Sequence, residues 1–233
     1  MKSTRRYKPL YKDDKTVLLS FTNLAIFISS LPLGGFIFCV IWSLLFNFTE
    51  STSTHCHVTN YLPSISAAVG SYSPQKYIWR ICIAIHSAPR YLVAYMYYSI
   101  VHYSLFIFML NLVEVSSLIG LTFISSTENH TLHALNFALF IITGSVGMTS
   151  ASNFSYKSRK IKNIMKYINL ISIGLAIFFY YKHNWFCEPG IYTLFALSEY
   201  VVVLTNIAFH FQAYHDFKDY DIILINRLSL AQS

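Results

Sequence analysis

Polar residues that could carry chemistry stand inside three long apolar segments of this chain. In chain order they are Arg80, His86, Arg90, Asn111, Glu114, Glu199, Asn206 and His210. The spacing of seven and four among the last three places them on one face of a helix, and His86 and Arg90 share a face in the same way. Ionisable groups are costly in hydrocarbon, so such clusters mark a functional site or a specific buried pair.

His86 and Glu199 are expected near the middle of a membrane. Each stands eight or nine residues into its segment, which corresponds to a depth of about 12–14 Å. We expect Arg90 to neutralise either Glu114 or Glu199, so that a carboxylate is left beside His86. A histidine oriented by a carboxylate is suited to act as a general base. The competing interpretation is that these groups only fix helix packing.

Two polar links hold further candidates. Cys56 and Cys187 are predicted on the same side of the membrane, where they could form a disulfide if that side is oxidising. His55, Cys56 and His57 invite a metal-binding interpretation. Adjacent residues cannot all chelate one ion comfortably, however, and no second Cys/His pair has ligand spacing, so no metal site is predicted.

The composition indicates the class of protein in which these groups stand. The 233 residues are 55% hydrophobic and only 12% charged, against about 25% charged in an ordinary soluble domain. The mean hydropathy of +0.46 agrees with this deficit. Soluble globular, disordered, collagenous and disulfide-scaffold classes are excluded, which leaves a polytopic membrane protein.

The apolar segments predict an all-α fold, a bundle of six transmembrane helices in a single domain over residues 1–233. The predicted spans are 18–46, 77–98, 103–125, 134–151, 164–181 and 191–211. The link residues 60–70 are too apolar for a free loop, and we expect them to lie in the interface or to fold back over the bundle.

The basic residues predict the orientation. Of seventeen Lys and Arg, eleven form two blocks: Lys2, Arg5, Arg6, Lys8, Lys12 and Lys15, and then Lys157, Arg159, Lys160, Lys162 and Lys166. Cytoplasmic loops of membrane proteins are enriched in Lys and Arg. Both termini are therefore predicted in the cytoplasm, and nucleic acid is not expected as a partner although the net charge is +7.

Familiar catalytic motifs are missing from the sequence. It has no G-x-S-x-G nucleophile elbow, no Walker loop, no G-x-G-x-x-G and no H-E-x-x-H. The residues alone therefore indicate a six-span protein with a polar midplane site, and an enzyme, a lipid carrier and a small transporter all fit that description.

The sequence resembles a family of glycosylphosphatidylinositol (GPI)-anchor remodelling factors, within a wider membrane family that includes damage-regulated autophagy modulators and the amino-terminal part of a yeast ceramide-remodelling protein. The resemblance covers almost the whole chain. It rests on HC at 55–56, NYLPSISAAVG at 60–70, YIWR at 77–80, HSAPR at 86–90, SS at 125–126, HN at 183–184, CEPGIYT at 187–193 and EYVVVLTNIAFH at 199–210.

The resemblance implies a function in maturation and transport of GPI-anchored proteins, in the Golgi membrane or alternatively the endoplasmic reticulum membrane. The implied step is reacylation of lyso-GPI at sn-2 with a saturated chain, by an acyltransferase without a cofactor. Membrane lipids and GPI-anchored proteins are then the partners, with other remodelling proteins beside them. The alternative is a non-catalytic factor that binds lyso-GPI and presents it to a separate acyltransferase.

Roles for individual residues follow from that implied reaction. His86 is the first choice for the base that deprotonates the sn-2 hydroxyl, with Glu199 as its orienter, and His55 and His183 are alternative bases. Arg80 or Arg90 could bind the inositol phosphate or stabilise an oxyanion. The structural polar network is assigned to Glu114, Asn206 and His210. Because no nucleophile is recognised, we expect direct transfer from an acyl donor, either acyl-CoA or a phospholipid.

Overall fold

The structure is a computed structural model that describes residues 17–153 and 157–224. The first basic block, residues 2–15, lies outside the described residues. The described chain is mostly helical, in the order β1 Val17–Ser20, α1 Phe21–Phe46, α2 Phe48–Thr52, α3 Ile65–Gly70, α4 Gln75–Ser99, α5 Leu105–Phe123, α6 His130–Ala151, α7 Arg159–Phe186, α8 Ile191–Phe211, α9 Ala213–Asp216 and β2 Asp221–Leu224.

Each predicted span coincides with one long helix. Five of these helices, α1, α5, α6, α7 and α8 with its extension to Asp216, are long and apolar enough to cross a membrane. The sixth, α4, has 25 residues, or about 38 Å of helix. It carries Lys76, Arg80 and Arg90 and does not meet the same standard of apolarity. Six crossings with both termini in the cytoplasm therefore stay a prediction.

The helix α6 begins four residues and α7 five residues earlier than predicted. The side chain of Asn129 accepts a hydrogen bond from the Leu132 amide, which caps α6 and starts it at His130 rather than at 134. The helix α7 begins at Arg159 rather than at 164, so that Lys162 belongs to the helix and not to the link before it. Local capping and pairing of charges, neither of which hydropathy detects, extend both helices.

The six long helices pack in a ring around a central space. In this ring α1 contacts α4, α4 contacts α5, α5 contacts α6, α6 contacts α7, α7 contacts α8, and α8 returns to α1. The link between α1 and α4 folds back over the bundle as α3, whose residue Ala68 is fully buried against a cluster that includes Phe36 and Trp79.

One end of the ring, here named the disulfide end, is held by covalent and polar contacts between links. The Sγ atoms of Cys56 and Cys187 are 2.09 Å apart and form a disulfide. Beside it, the Gly190 amide donates to the carbonyl of Thr59 over 2.9 Å. The Tyr61 amide donates to the hydroxyl of Thr193 over 2.8 Å.

The opposite end, here named the Lys162 end, is held by a buried ion pair. Nζ of Lys162 lies 2.6 Å from Oδ2 of Asp216, and the Lys162 side chain is 1% exposed. The hydroxyl groups of Tyr97 and Ser158 both donate to the same carboxylate, at 2.9 and 2.8 Å. These contacts fasten α7 and α4 to the segment that follows α8.

A two-stranded antiparallel ribbon departs from the all-α prediction. The strand β1 pairs with β2, with Val17 opposite Leu224 and Ser20 opposite Asp221. Residues 18–20 were predicted as part of the first span, and that boundary is wrong. A short apolar run cannot be assigned to helix or strand by periodicity alone.

Candidate functional site

The helix ring encloses one large cavity with a volume of about 680 Å³. Side chains from α1 and from α3 to α8 line it, and most of them are apolar. This volume falls within the range of about 300–1,000 Å³ that is typical of ligand sites. The polar groups that reach the cavity are concentrated at two levels, which differ in their chemistry.

The deeper level is the Glu114 cluster, defined here as Arg90, Glu114, Asn206 and His210. Oε2 of Glu114 lies 3.7 Å from Nη2 of Arg90. Its Oε1 accepts from Nδ2 of Asn206 at 2.9 Å and lies 3.0 Å from Nε2 of His210. Both charged partners are buried, with Arg90 5% and Glu114 3% exposed. Of the two carboxylates expected for Arg90, the structure selects Glu114, and the cluster joins α4, α5 and α8.

His86 faces the cavity one helical turn before Arg90 on α4. Its Nδ1 lies 2.8 Å from the carbonyl oxygen of Ile28. A carbonyl only accepts, so Nδ1 carries the proton, and in the neutral ring Nε2 is the unprotonated nitrogen. The orienting partner of His86 is thus a backbone carbonyl of α1 and not the predicted carboxylate.

Glu199 also lines the cavity, but its carboxylate is hydrogen-bonded to α3. Its Oε2 accepts a hydrogen bond of 3.1 Å from the amide of Ile65, the first residue of α3. Within residues 17–153 and 157–224, no hydrogen bond or ion pair joins Glu199 to His86. The carboxylate of Glu199 is bonded to the start of α3 instead of to the predicted histidine.

Arg80 lies outside the cavity lining, and its donors are engaged elsewhere. Nε donates to the Thr122 carbonyl at 3.3 Å, and Nη2 donates to the Phe123 carbonyl at 3.2 Å. Nη2 also lies 3.2 Å from Oε2 of Glu128. The amide and hydroxyl of Ser125, followed by Arg80, hold the pKa of the Glu128 carboxyl below its usual range. Arg80 therefore ties α4 to the end of α5 and to the α5–α6 link, and its predicted phosphate-binding role stays a prediction.

His55 and His183, the predicted alternative bases, lie beside the disulfide and do not line the cavity. Their rings stand 5.8 Å apart, and Nε2 of His183 lies 3.0 Å from the Thr54 hydroxyl. Ligand atoms of His55, Cys56 and Cys187 fall within 4.8 Å of one another. In the disulfide, however, the two sulfurs are bonded to each other, whereas a metal ligand is a thiolate.

The upper level of the cavity contains a pair that sequence reasoning missed, here named the Ser66–His133 pair. Oγ of Ser66 lies 2.9 Å from Nε2 of His133, and Nδ1 of His133 lies 2.7 Å from the carbonyl of Ile124. Both side chains line the cavity at the disulfide end. The partners are 67 residues apart, so no local spacing could reveal them.

The amino-acid sequence matches the model of a known protein family. A family model described as the Frag1/DRAM/Sfk1/Cwh43P N-terminal domain matches residues 20–220. The chain belongs to this family. The resemblance inferred from the sequence motifs is thereby confirmed.

Several named proteins are similar over most of the chain. Acyltransferase PGAP2 of Xenopus tropicalis is 41% identical over 88% of this chain and 91% of its own length. Post-GPI attachment to proteins factor 2 of Drosophila melanogaster is also 41% identical, over 91% of this chain and 92% of its own length. The more distant protein cwh43 of Schizosaccharomyces pombe is 25% identical over 68% of this chain and 17% of its own length. No solved structure matches the chain.

Proposed function

We propose that the protein reacylates lyso-GPI at the sn-2 hydroxyl with a saturated chain during the maturation of GPI-anchored proteins. The observation that carries the proposal is the cavity, because its apolar walls suit an acyl chain and its upper polar level suits the ester-forming end of a lipid. The names of the relatives, an acyltransferase and factors acting after GPI attachment, support the same reaction.

The orientation in this proposal places the disulfide end in the lumen of the Golgi, or alternatively of the endoplasmic reticulum. Disulfides form in these oxidising compartments. The basic residues Lys157, Arg159 and Lys160 stand at the Lys162 end, as expected for a cytoplasmic face. All six long helices then cross the membrane, and both termini are cytoplasmic.

The dimensions of the cavity agree with one lipid chain. Its lining residues Glu199 and His210 on α8 are eleven residues apart, or about 16 Å along the helix. This is about half of a 30 Å hydrocarbon core, which is the depth of one leaflet. The helices α6 and α7 both line the cavity while sharing few contacts, which supports entry of the lipid between them.

The reaction needs a proton acceptor at the hydroxyl, and two cavity histidines have the suitable tautomer. His86 is the acceptor expected from sequence, and His133 is a second one at the disulfide end. Each ring is fixed by donation from Nδ1 to a backbone carbonyl, so that Nε2 can accept a proton. The acyl donor is either acyl-CoA or a phospholipid, and no cofactor is required.

The test is a transfer assay with the purified protein in liposomes, using lyso-GPI with labelled acyl-CoA or labelled phospholipid as donor. We expect labelled product from one donor. Ala138→Trp, which fills the cavity from α6, should abolish product, whereas Leu139→Trp on the exposed neighbouring position should not. Binding of lyso-GPI without product from either donor would contradict catalysis and favour the lipid-presenting alternative.

A further inference from the structure

We infer that Ser66 is a nucleophile and His133 its general base, and that the acyl group passes through an ester on Ser66. This inference rests on the proposed function, because its acyl acceptor is the lyso-lipid. It replaces the direct transfer expected from the sequence with a two-step transfer. The site is the upper level of the cavity, where both side chains are accessible to a bound lipid.

The hydrogen bonds fix the direction of proton transfer. Nδ1 of His133 must donate to the Ile124 carbonyl, which can only accept, over 2.7 Å. Nε2 of the neutral ring is therefore an acceptor, and Ser66 donates its hydroxyl proton to it over 2.9 Å. A hydroxyl that donates to an imidazole held by a third group is the arrangement that activates a serine.

Serines in the long helices behave differently. Ser87, Ser116 and Ser198 donate to the carbonyl four residues earlier in their own helix, as hydroxyls in apolar helices commonly do. Ser66 instead donates to a ring on another helix, 67 residues away. Its orientation is set by tertiary structure, as a reacting group requires.

The short helix α3, which carries Ser66, is fastened on several sides. Ser64 caps it by accepting from the Ala67 amide at 3.2 Å, and Glu199 accepts from the Ile65 amide at 3.1 Å. The hydroxyl of Tyr200 donates to the Pro63 carbonyl at 2.7 Å. Two residues of α8 thus hold α3 over the cavity, which gives Glu199 a positioning function in place of its predicted catalytic one.

The transfer has two steps, acylation of Ser66 and deacylation by the lyso-lipid, and neither step needs an oxidant or a reductant. Oγ of Ser66 attacks the carbonyl carbon of a fatty acyl ester or thioester while its proton passes to Nε2 of His133. The bond to the leaving oxygen or sulfur breaks, and the leaving group takes that proton. The lyso-lipid hydroxyl then attacks the carbonyl carbon of the Ser66 ester and gives its proton to Nε2 of His133. The bond between that carbon and Oγ breaks, and His133 passes the proton to Oγ.

The acyl-enzyme can be sought directly in the wild-type chain. Protein in liposomes is incubated with palmitoyl-CoA or with a palmitoyl phospholipid and no acceptor, then digested and analysed by mass spectrometry. We expect palmitate on the peptide that contains Ser66, and its release when lyso-GPI is added. Ser66→Ala should lose this adduct and reduce product to background, while Ser116→Ala on an exposed face should match the wild type.

Two further variants test the covalent route if Ser66→Ala does not fold. Ser66→Cys retains a nucleophile and should form a thioester that hydroxylamine releases. His133→Gln should slow acylation about 100-fold or more, the contribution expected of a general base.

The outcomes separate this inference from the proposed function. Product formation by the wild type without any Ser66 adduct, or by folded Ser66→Ala at the wild-type rate, overturns the covalent route and leaves the proposed reaction intact. Absence of both adduct and product with either donor overturns both.

Discussion

The two polar levels of the cavity differ in how their groups are satisfied. In the Glu114 cluster, both carboxylate oxygens are occupied by Arg90, Asn206 and His210. In the Ser66–His133 pair neither side chain is a carboxylate or a guanidinium, and one serine proton is directed at one imidazole nitrogen. Charges in the interior of a membrane protein are costly and become saturated by partners, whereas a hydroxyl–imidazole pair can stay available for a reaction. Buried charges, although energetically costly, therefore do not by themselves identify a reaction site.

The largest effect is expected from removing the carboxylate of the deeper level. Glu114→Ala leaves Arg90 buried without its counter-ion, and we expect it to destabilise the protein by about 3–5 kcal/mol. The measurement is the thermal unfolding temperature in detergent together with protein abundance in cells. Glu128→Ala, which removes an exposed partner of Arg80, is the matched control with a much smaller effect. Unchanged stability with lost transfer would assign catalysis to the deeper level.

The second prediction compares the transfer rates of variants at His133 and His86. His133→Gln should lower the rate of acyl transfer about 100-fold with little change in unfolding temperature, because it removes the proton acceptor of Ser66. His86→Gln should lower the rate less, since His86 has no hydroxyl partner within the described residues. The check is the transfer rate of each variant at equal protein abundance. The reverse ranking would restore His86 as the base and favour direct transfer.

The third prediction concerns the positioning of α3. Glu199→Ala removes the acceptor of the Ile65 amide and should lower the transfer rate about tenfold, because small misplacement of reacting groups is costly. Glu199→Gln keeps a carbonyl acceptor and should recover most of the rate. If Gln were as defective as Ala, the negative charge itself would be required, and Glu199 would belong to the chemistry.

The smallest expected effect is a dependence on pH at the disulfide end. The pKa of Glu128 is lowered below its ordinary value of 4.5 by Ser125 and Arg80. This ionised form therefore contributes stability above the ordinary pKa, and the contribution is lost as pH falls through the lower folded pKa. Wild-type unfolding temperature should fall more than that of Glu128→Gln below pH 4.5, and the two should run parallel above pH 6. Equal acid sensitivity would contradict the prediction.

The positions of the helices could be predicted from sequence because hydropathy and helical spacing are local properties. The Arg90–Glu114 contact was one of two pairings that depth allowed, and only the structure distinguishes them. The contacts of Arg80 could not be predicted, because nothing in its own sequence neighbourhood shows that the carbonyls ending α5 approach its guanidinium. The Ser66–His133 pair could not be predicted, since its geometry depends on how α3 and α6 meet in three dimensions.

The ribbon of β1 and β2 has a consequence for how the bundle can be opened. Ser20 pairs with Asp221, and the Phe21 amide donates to the Tyr220 carbonyl over 3.3 Å. The peptide path thus enters and leaves the helix ring at one point, beside the Lys162 end. The four paired residues of each strand connect the beginning of the described chain to its end. A pair of fluorophores placed on β1 and β2 would report separation of the two strands.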